Sequence, residues 1–138
     1  MRLRRDEKVQ RLVSVPLLGH CSKRELRAIA GIADEIELSQ GYVLCREGEA
    51  GLQCFFLLEG EVEVRRGGRR IAKLGAGDVV GEMALLSLSP RIATVTALTP
   101  LRALVVTSGT FLDLLDASPA IQAKVTRSLA DRIAAASI

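Results

Sequence analysis

Aromatic residues are scarce in this sequence: 138 residues hold no tryptophan, one tyrosine and three phenylalanines. Single-stranded nucleic acids are held by stacking bases on rings, and too few rings are present here for that mode. Histidine is scarcer still, His20 alone. One histidine excludes a multi-histidine metal cage or a jelly-roll oxygenase centre, and leaves any Ser-His or Cys-His pair only that residue to use. His20 stands in a loop-like Leu-Gly-His-Cys-Ser stretch and reads as a surface or capping histidine. The cysteines Cys21, Cys45 and Cys54 are odd in number and form no CxxC pair. Neither a disulfide framework nor a zinc site is suggested, and a reducing, cytoplasmic setting is expected. Long apolar runs are missing too. The longest stretch without a charge is residues 12–22, far short of the roughly 18 that span a bilayer, and Pro16 and Gly19 interrupt it. No signal peptide, anchor or membrane contact is expected. The absence of GxxxxGK[ST] removes the usual triphosphate loop.

What is there fits one globular domain, residues 1–138, since domains run at roughly 100 to 200 residues. Apolar residues make 49% and charged residues 25% of the chain, a balance that argues against disorder. Nineteen Lys and Arg against sixteen Asp and Glu leave +3, enough to help hold an anion without being a nucleic-acid signature.

Residues 4–13 read as a short charged helix with Val9, Leu12 and Val13 on its apolar face. Ser22-Lys23-Arg24-Glu25 has the S-x-x-E spacing of a capping box and predicts a helix over about 22–32, with Leu26, Ile29 and Ala30 inward. From residue 34 to 107 the pattern changes to short apolar runs broken by glycine: EIEL, YVLC, CFFLL, EVEV, IAKL, VV, ATVTAL and LRALVV. No helix-length segment separates them, so an all-β roll is expected in place of a parallel βαβ fold. Gly67-Gly68 between EVEVRR and RRIAKL predicts a tight hairpin. Ser108 opens a short helix carrying Phe111, Leu112, Leu114 and Leu115. Ser118-Pro119 starts a longer one, with the serine as N-cap and the stripe Ile121, Val125, Leu129 and Ile133. The expected class is α+β: an eight-stranded antiparallel, jelly-roll-like β-roll (34–107) with N-terminal helices (1–33) before it and two helices (108–138) after it.

Residues 75–96 are the unusual segment. A helix-prone piece, Glu82-Met83-Ala84-Leu85-Leu86, follows Gly81, and Pro90-Arg91 precedes the next strand. Glycine lets backbone approach a ligand closely, and a helix start turns N–H groups outward, so together they favour an anion. Arg91 adds a permanent charge in a planar fork that can grip two phosphate oxygens. Glu82 would be repelled by a phosphate but can accept a hydrogen bond from a neighbouring ribose 2′-OH. One arginine and no metal suit a small, singly charged ribose phosphate. From the local motif alone a second reading stays open, in which Gly81 only makes a turn and Glu82 pairs with Arg91 on the surface.

Gly81-Glu82-Met83-Ala84-Leu85-Leu86 followed by Pro90-Arg91-Ile92-Ala93-Thr94-Val95 resembles the phosphate-binding cassette (81–95) of the cyclic nucleotide-binding domain family. The likeness extends to Ser14-Val15-Pro16-Leu17-Leu18 with Ser22-Lys23-Arg24-Glu25-Leu26, and to Arg46-Glu47-Gly48-Glu49-Ala50-Gly51 with Leu57-Leu58-Glu59-Gly60-Glu61-Val62-Glu63-Val64. The resemblance implies a non-catalytic sensor whose ligand-binding residues are Gly81, Glu82, Met83, Ala84, Arg91 and Ile92. In it Arg91 holds the cyclic phosphate, Glu82 takes the 2′-OH, and the N–H groups of Ala84 and Ile92 meet phosphate oxygens. It also implies that 108–117 is a hinge helix and 119–136 a lid, acting on an effector domain or protein that these residues do not name.

The residue after the arginine is Ile92, which lacks the hydroxyl associated in the family with cyclic GMP. Cyclic AMP is therefore the expected ligand ahead of cyclic GMP, with no metal. The family's common Gly-Asp reads Gly51-Leu52, and Val80 replaces an aromatic. A base contact would come from aliphatic groups such as Val43, Leu44 or the last helix. Two competing readings are an interaction domain that kept the fold and lost the ligand, and nucleic-acid binding through Arg2, Arg4 and Arg5 with Arg65, Arg66, Arg69 and Arg70. The second is disfavoured, because arginines at a turn usually form a solvated tip.

Overall fold

The S-x-x-E signal at Ser22 is realised atom for atom. In this computed structural model, which describes residues 2–82 and 90–136, the Glu25 N–H donates to Ser22 Oγ at 3.2 Å and the Ser22 N–H to the Glu25 carboxylate at 2.7 Å. The box starts α2 (Lys23–Gly31), preceded by α1 (Arg5–Leu12) and a 3-10 turn (Pro16–Leu18). The strands follow: β1 (Asp34–Leu38), β2 (Val43–Cys45), β3 (Gln53–Glu59), β4 (Val62–Arg66), β5 (Arg69–Leu74), β6 (Val79–Val80), β7 (Thr94–Ala97) and β8 (Leu101–Thr107). Helices α3 (Ser108–Ala117) and α4 (Pro119–Ala136) close the chain. The eight expected apolar runs are thus the eight strands found among the described residues.

All the strand pairs are antiparallel, in two four-stranded sheets ordered β1-β8-β3-β6 and β2-β7-β4-β5. β3 shows why its sequence is an unbroken apolar run: both of its faces are buried. Cys54, Phe56 and Leu58 pack against the helices with Leu12, Leu17, Ile29, Phe111 and Val125, while Phe55 and Leu57 fill the roll with Leu44, Val62, Val80 and Val95. β8 alternates in the same way, Leu104 and Val106 against Ala103 and Val105. The helices therefore sit on one sheet only, and the other sheet is left to shape the open end of the roll. The β4–β5 turn is the expected Gly67-Gly68, both at positive φ (57° and 78°), which a two-residue hairpin loop of this twist requires.

The C-terminal helices begin where the sequence placed them. The cap of α3 is Thr107, whose Oγ1 accepts from the Thr110 N–H at 3.4 Å, with Ser108 the first helical residue. Leu112 is exposed, since α3 buries only one face, through Phe111 and Leu115. The α4 cap is the expected Ser118, accepting from Ile121 N–H at 3.4 Å. Ile121 and Val125 are buried as expected, while Leu129 is half-buried and Ser128 takes the buried place beside it. The Ser128 hydroxyl is buried without a partner among the described residues. The piece 83–86, the expected ligand contacts Met83 and Ala84, and the Ile133 side chain lie outside the described residues. Among the described residues no helix is long and apolar enough to cross a membrane.

Candidate functional site

The loop at 46–51 and the segment at 90–92 meet as a short antiparallel pair beyond the ends of β2 and β7. Arg91 N–H donates to the Glu49 carbonyl at 2.8 Å, Gly48 N–H to the Arg91 carbonyl at 2.8 Å, and Ala50 bridges Pro90. These bonds fix the Arg91 backbone from both sides, so the side chain has one direction to take. It runs between two glycines. A Cβ on Gly51 would fall on the Arg91 Nε and Cζ, and one on Gly81 would fall on its Nη1. Gly81 is also at φ +77°, a conformation side chains disfavour. The guanidinium ends on the Gln53 carbonyl, to which Nη2 donates.

Arg91 thus meets a neutral acceptor and two residues without side chains. Among the described residues no carboxylate lies within ion-pair distance of it. The surface Glu82–Arg91 pair that the local motif left open is not formed. Both groups nonetheless bear on one atom. Burial first, and Glu82 after it, push the Cys54 thiol far up, with Arg91 opposing them. Burial raises the Cys45 thiol too, again with Arg91 pulling the other way. Two neutral thiols thus lie behind the arginine.

A cleft of about 250 Å³ opens beside Arg91, lined by Val43, Leu44, Cys45, Arg46 and the loop from Glu49 to Gln53. Val43 and Leu44, the expected aliphatic contacts, are in its wall. Leu52, which departs from the Gly-Asp pattern, is 57% exposed at the rim, and Ile92 is 71% exposed next to Arg91. The Ile92 carbonyl accepts from Arg66 Nε at 3.2 Å, and its N–H donates to no group among the described residues. Gly81 and Glu82 are both half-buried. Among the described residues no three His, Cys, Asp or Glu side chains are grouped to hold a metal ion.

Sequence reasoning missed two parts of this arrangement: Gly51 as one wall of the arginine's channel, and the Gln53 carbonyl as its end. Gly51 had a signal, a glycine facing the cassette from the other loop of the resemblance, but its use depends on a contact across 40 residues. The Gln53 carbonyl had none, because every residue has a carbonyl. His20 also proves more engaged than a plain surface residue: it is paired with Asp131 on α4 at 2.7 Å. At the hairpin tip Arg65 and Arg70 both bond Glu63, so two of the four arginines are spent within their own sheet.

The family model described as the cyclic nucleotide-binding domain matches residues 35–118. A cyclic nucleotide-gated potassium channel of Rhizobium etli is 36% identical over 123 residues, 89% of this chain and 34% of the channel. The regulatory subunit of a cAMP-dependent protein kinase from Mycosarcoma maydis is 40% identical over 90 residues, 62% of this chain and 17% of the subunit. In structure, the N-terminal domain of a transcriptional regulator from Streptomyces coelicolor superposes with a TM-score of 0.84 at 26% identity, covering 92% of both chains. The chain belongs to the cyclic nucleotide-binding domain family, and its fold is that family's β-roll with flanking helices. It spans about a third or less of the length of the channel and kinase-subunit relatives.

Proposed function

We propose that this chain is a non-catalytic sensor module that binds cyclic AMP and passes its occupancy on through α3 and α4. The observation that carries the reading is Arg91, a permanent cation held at a cleft by a carbonyl and two glycines, with its charge left available for an anion. A guanidinium so oriented can take two oxygens of a cyclic phosphate in parallel. The N–H of Ile92 then supplies a further donor, Glu82 accepts from the ribose 2′-OH, and Gly81 lets the sugar phosphate come close. Val43 and Leu44 offer the base an aliphatic wall. Ile92 brings no hydroxyl beside the phosphate, which favours cyclic AMP over cyclic GMP.

The output is carried by α4. It is held to the N-terminal helices by Ile121 and Val125, by Lys124 donating to Glu25 at 2.5 Å, and by the His20–Asp131 pair. A ligand moves such a helix only by binding one of its positions more tightly than the other. With α3 as hinge and α4 as lid, cyclic AMP selects the position in which α4 covers the cleft. The effector is a domain or partner to which α4 is coupled.

Calorimetric titration with cyclic AMP, cyclic GMP and 2′-deoxy cyclic AMP tests the reading. Cyclic AMP is expected to saturate at the lowest concentration, and the deoxy analogue to bind more weakly through loss of the Glu82 contact. No saturation by any of the three at millimolar concentration would overturn it and leave an interaction domain that has only the fold.

A further inference from the structure

Arg66 stands at the exposed end of β4, next to the Gly67-Gly68 turn. Along β4, Val62 is buried and Val64 half-buried, Arg65 and Arg66 are both exposed, and the pairing with β5 shifts register between Val64 and Arg65. Pairing of β4 with β7 runs from Val62 opposite Ala97 to Arg65 opposite Thr94 and stops there. Arg66 reaches past that end, and its Nε donates to the Ile92 carbonyl at 3.2 Å. The tip that carries it is tied down separately: Gly67 N–H donates to Glu47 Oε1 and Glu47 N–H to Thr94 Oγ1, each at 3.0 Å. Ile92 is therefore gripped from the hairpin, as Arg91 is gripped from the loop at 48–49.

We infer that Arg66 is a positioning residue for the phosphate seat: by holding the Ile92 carbonyl it sets the backbone twist at the residue whose N–H meets the phosphate. The inference rests on the proposed binding of a cyclic nucleotide. The side chain of Ile92 is exposed and cannot anchor its own backbone by packing, so the carbonyl bond supplies the anchor. Arg65 and Arg70 are occupied by Glu63 and cannot replace Arg66. Its neighbour Arg69 is an exposed arginine on the same turn, which separates the effect of position from that of charge.

The test is calorimetry on the wild type, Arg66→Ala, Arg66→Lys, Arg69→Ala and Arg91→Ala, with cyclic AMP and the two phosphorothioate diastereomers that each replace one exocyclic oxygen by sulfur. Arg66→Ala is expected to weaken cyclic AMP about fivefold, the value of roughly one hydrogen bond. Arg69→Ala should cost less than about twofold, and Arg66→Lys should recover part of the loss, since an ammonium can still donate to the carbonyl. The loss from Arg66→Ala should appear with one diastereomer and nearly vanish with the one whose sulfur already faces Ile92. Equal losses with both, or equal losses from Arg66→Ala and Arg69→Ala, would reduce Arg66 to a distant charge and overturn the inference. An unchanged Arg66→Ala beside a weakened Arg91→Ala would overturn it while sparing the binding site. No binding by the wild type would overturn the site itself. Unliganded melting temperatures of all variants, with Arg66→Gln as a second replacement, separate positioning from unfolding.

Discussion

Arg91 and Arg102 each stand beside a cleft, and they differ in what holds them. Arg102, on β8, donates to Glu59 and to Glu35, each at 2.7 Å, and the Glu35 side chain is only 7% exposed. Arg91 has a carbonyl and two glycines. The hollow beside Arg102, about 610 Å³, is more than twice the size of the one beside Arg91. The proposed site is therefore not the larger of the two hollows. A cation paired with two carboxylates has its field cancelled and serves stability, whereas a cation held by neutral groups keeps its field for a ligand.

The sharpest way to break this contrast is to exchange the consequences. Arg91→Ala should weaken cyclic AMP at least tenfold and leave the unliganded melting temperature nearly unchanged; a drop in stability with affinity kept would mean that Arg91 is structural. Arg102→Ala should do the reverse. It leaves Glu35 enclosed without its cation, with only the Leu3 N–H among the described residues still donating to it, and the melting temperature should fall by roughly 5 °C or more while affinity holds. Scanning calorimetry with and without nucleotide reads both outcomes.

Gly51→Ala probes the channel itself. A methyl group there displaces the Arg91 guanidinium, and affinity should fall about tenfold with little change in fold stability, because Gly51 is not at positive φ. Were binding untouched, the channel would be incidental.

The smallest effect is in pH. Bonding to Lys124 and the capping box at Ser22 hold the Glu25 carboxyl at about 2, below its ordinary 4.5, and Arg102 holds Glu35 down likewise. Lowered carboxyls contribute stability that is complete above about pH 4.5 and is lost as pH falls towards 2. Lys124→Met should flatten that loss between pH 5 and 2 and speed hydrogen exchange in α4, whereas Arg91→Ala should leave the slope as it is. A slope unchanged by Lys124→Met would show that the α4 pair adds nothing.

The strands were readable because short apolar runs broken by glycine, with no helix-length segment between them, mark strands; that CFFLL is covered on both faces was visible only in the packing. The caps at Ser22 and Ser118 were readable because each uses residues at most three apart. Glu82 and Arg91 were readable as types of chemistry. Gly51, the Gln53 carbonyl and Arg66 were not, since each acts on a residue 26 to 40 positions away, and backbone acceptors carry no signature in a string of side chains.

The sequence by itself determined the eight strands, the Gly67-Gly68 hairpin and the capped helices, and it offered Arg91 as the candidate for a phosphate. Which arginine has its charge compensated by carboxylates was decided only in three dimensions. All the arginines are equally cationic in the chain, and folding alone sets carboxylates against Arg102 and glycines against Arg91, because charge compensation depends on distances that chain order does not record.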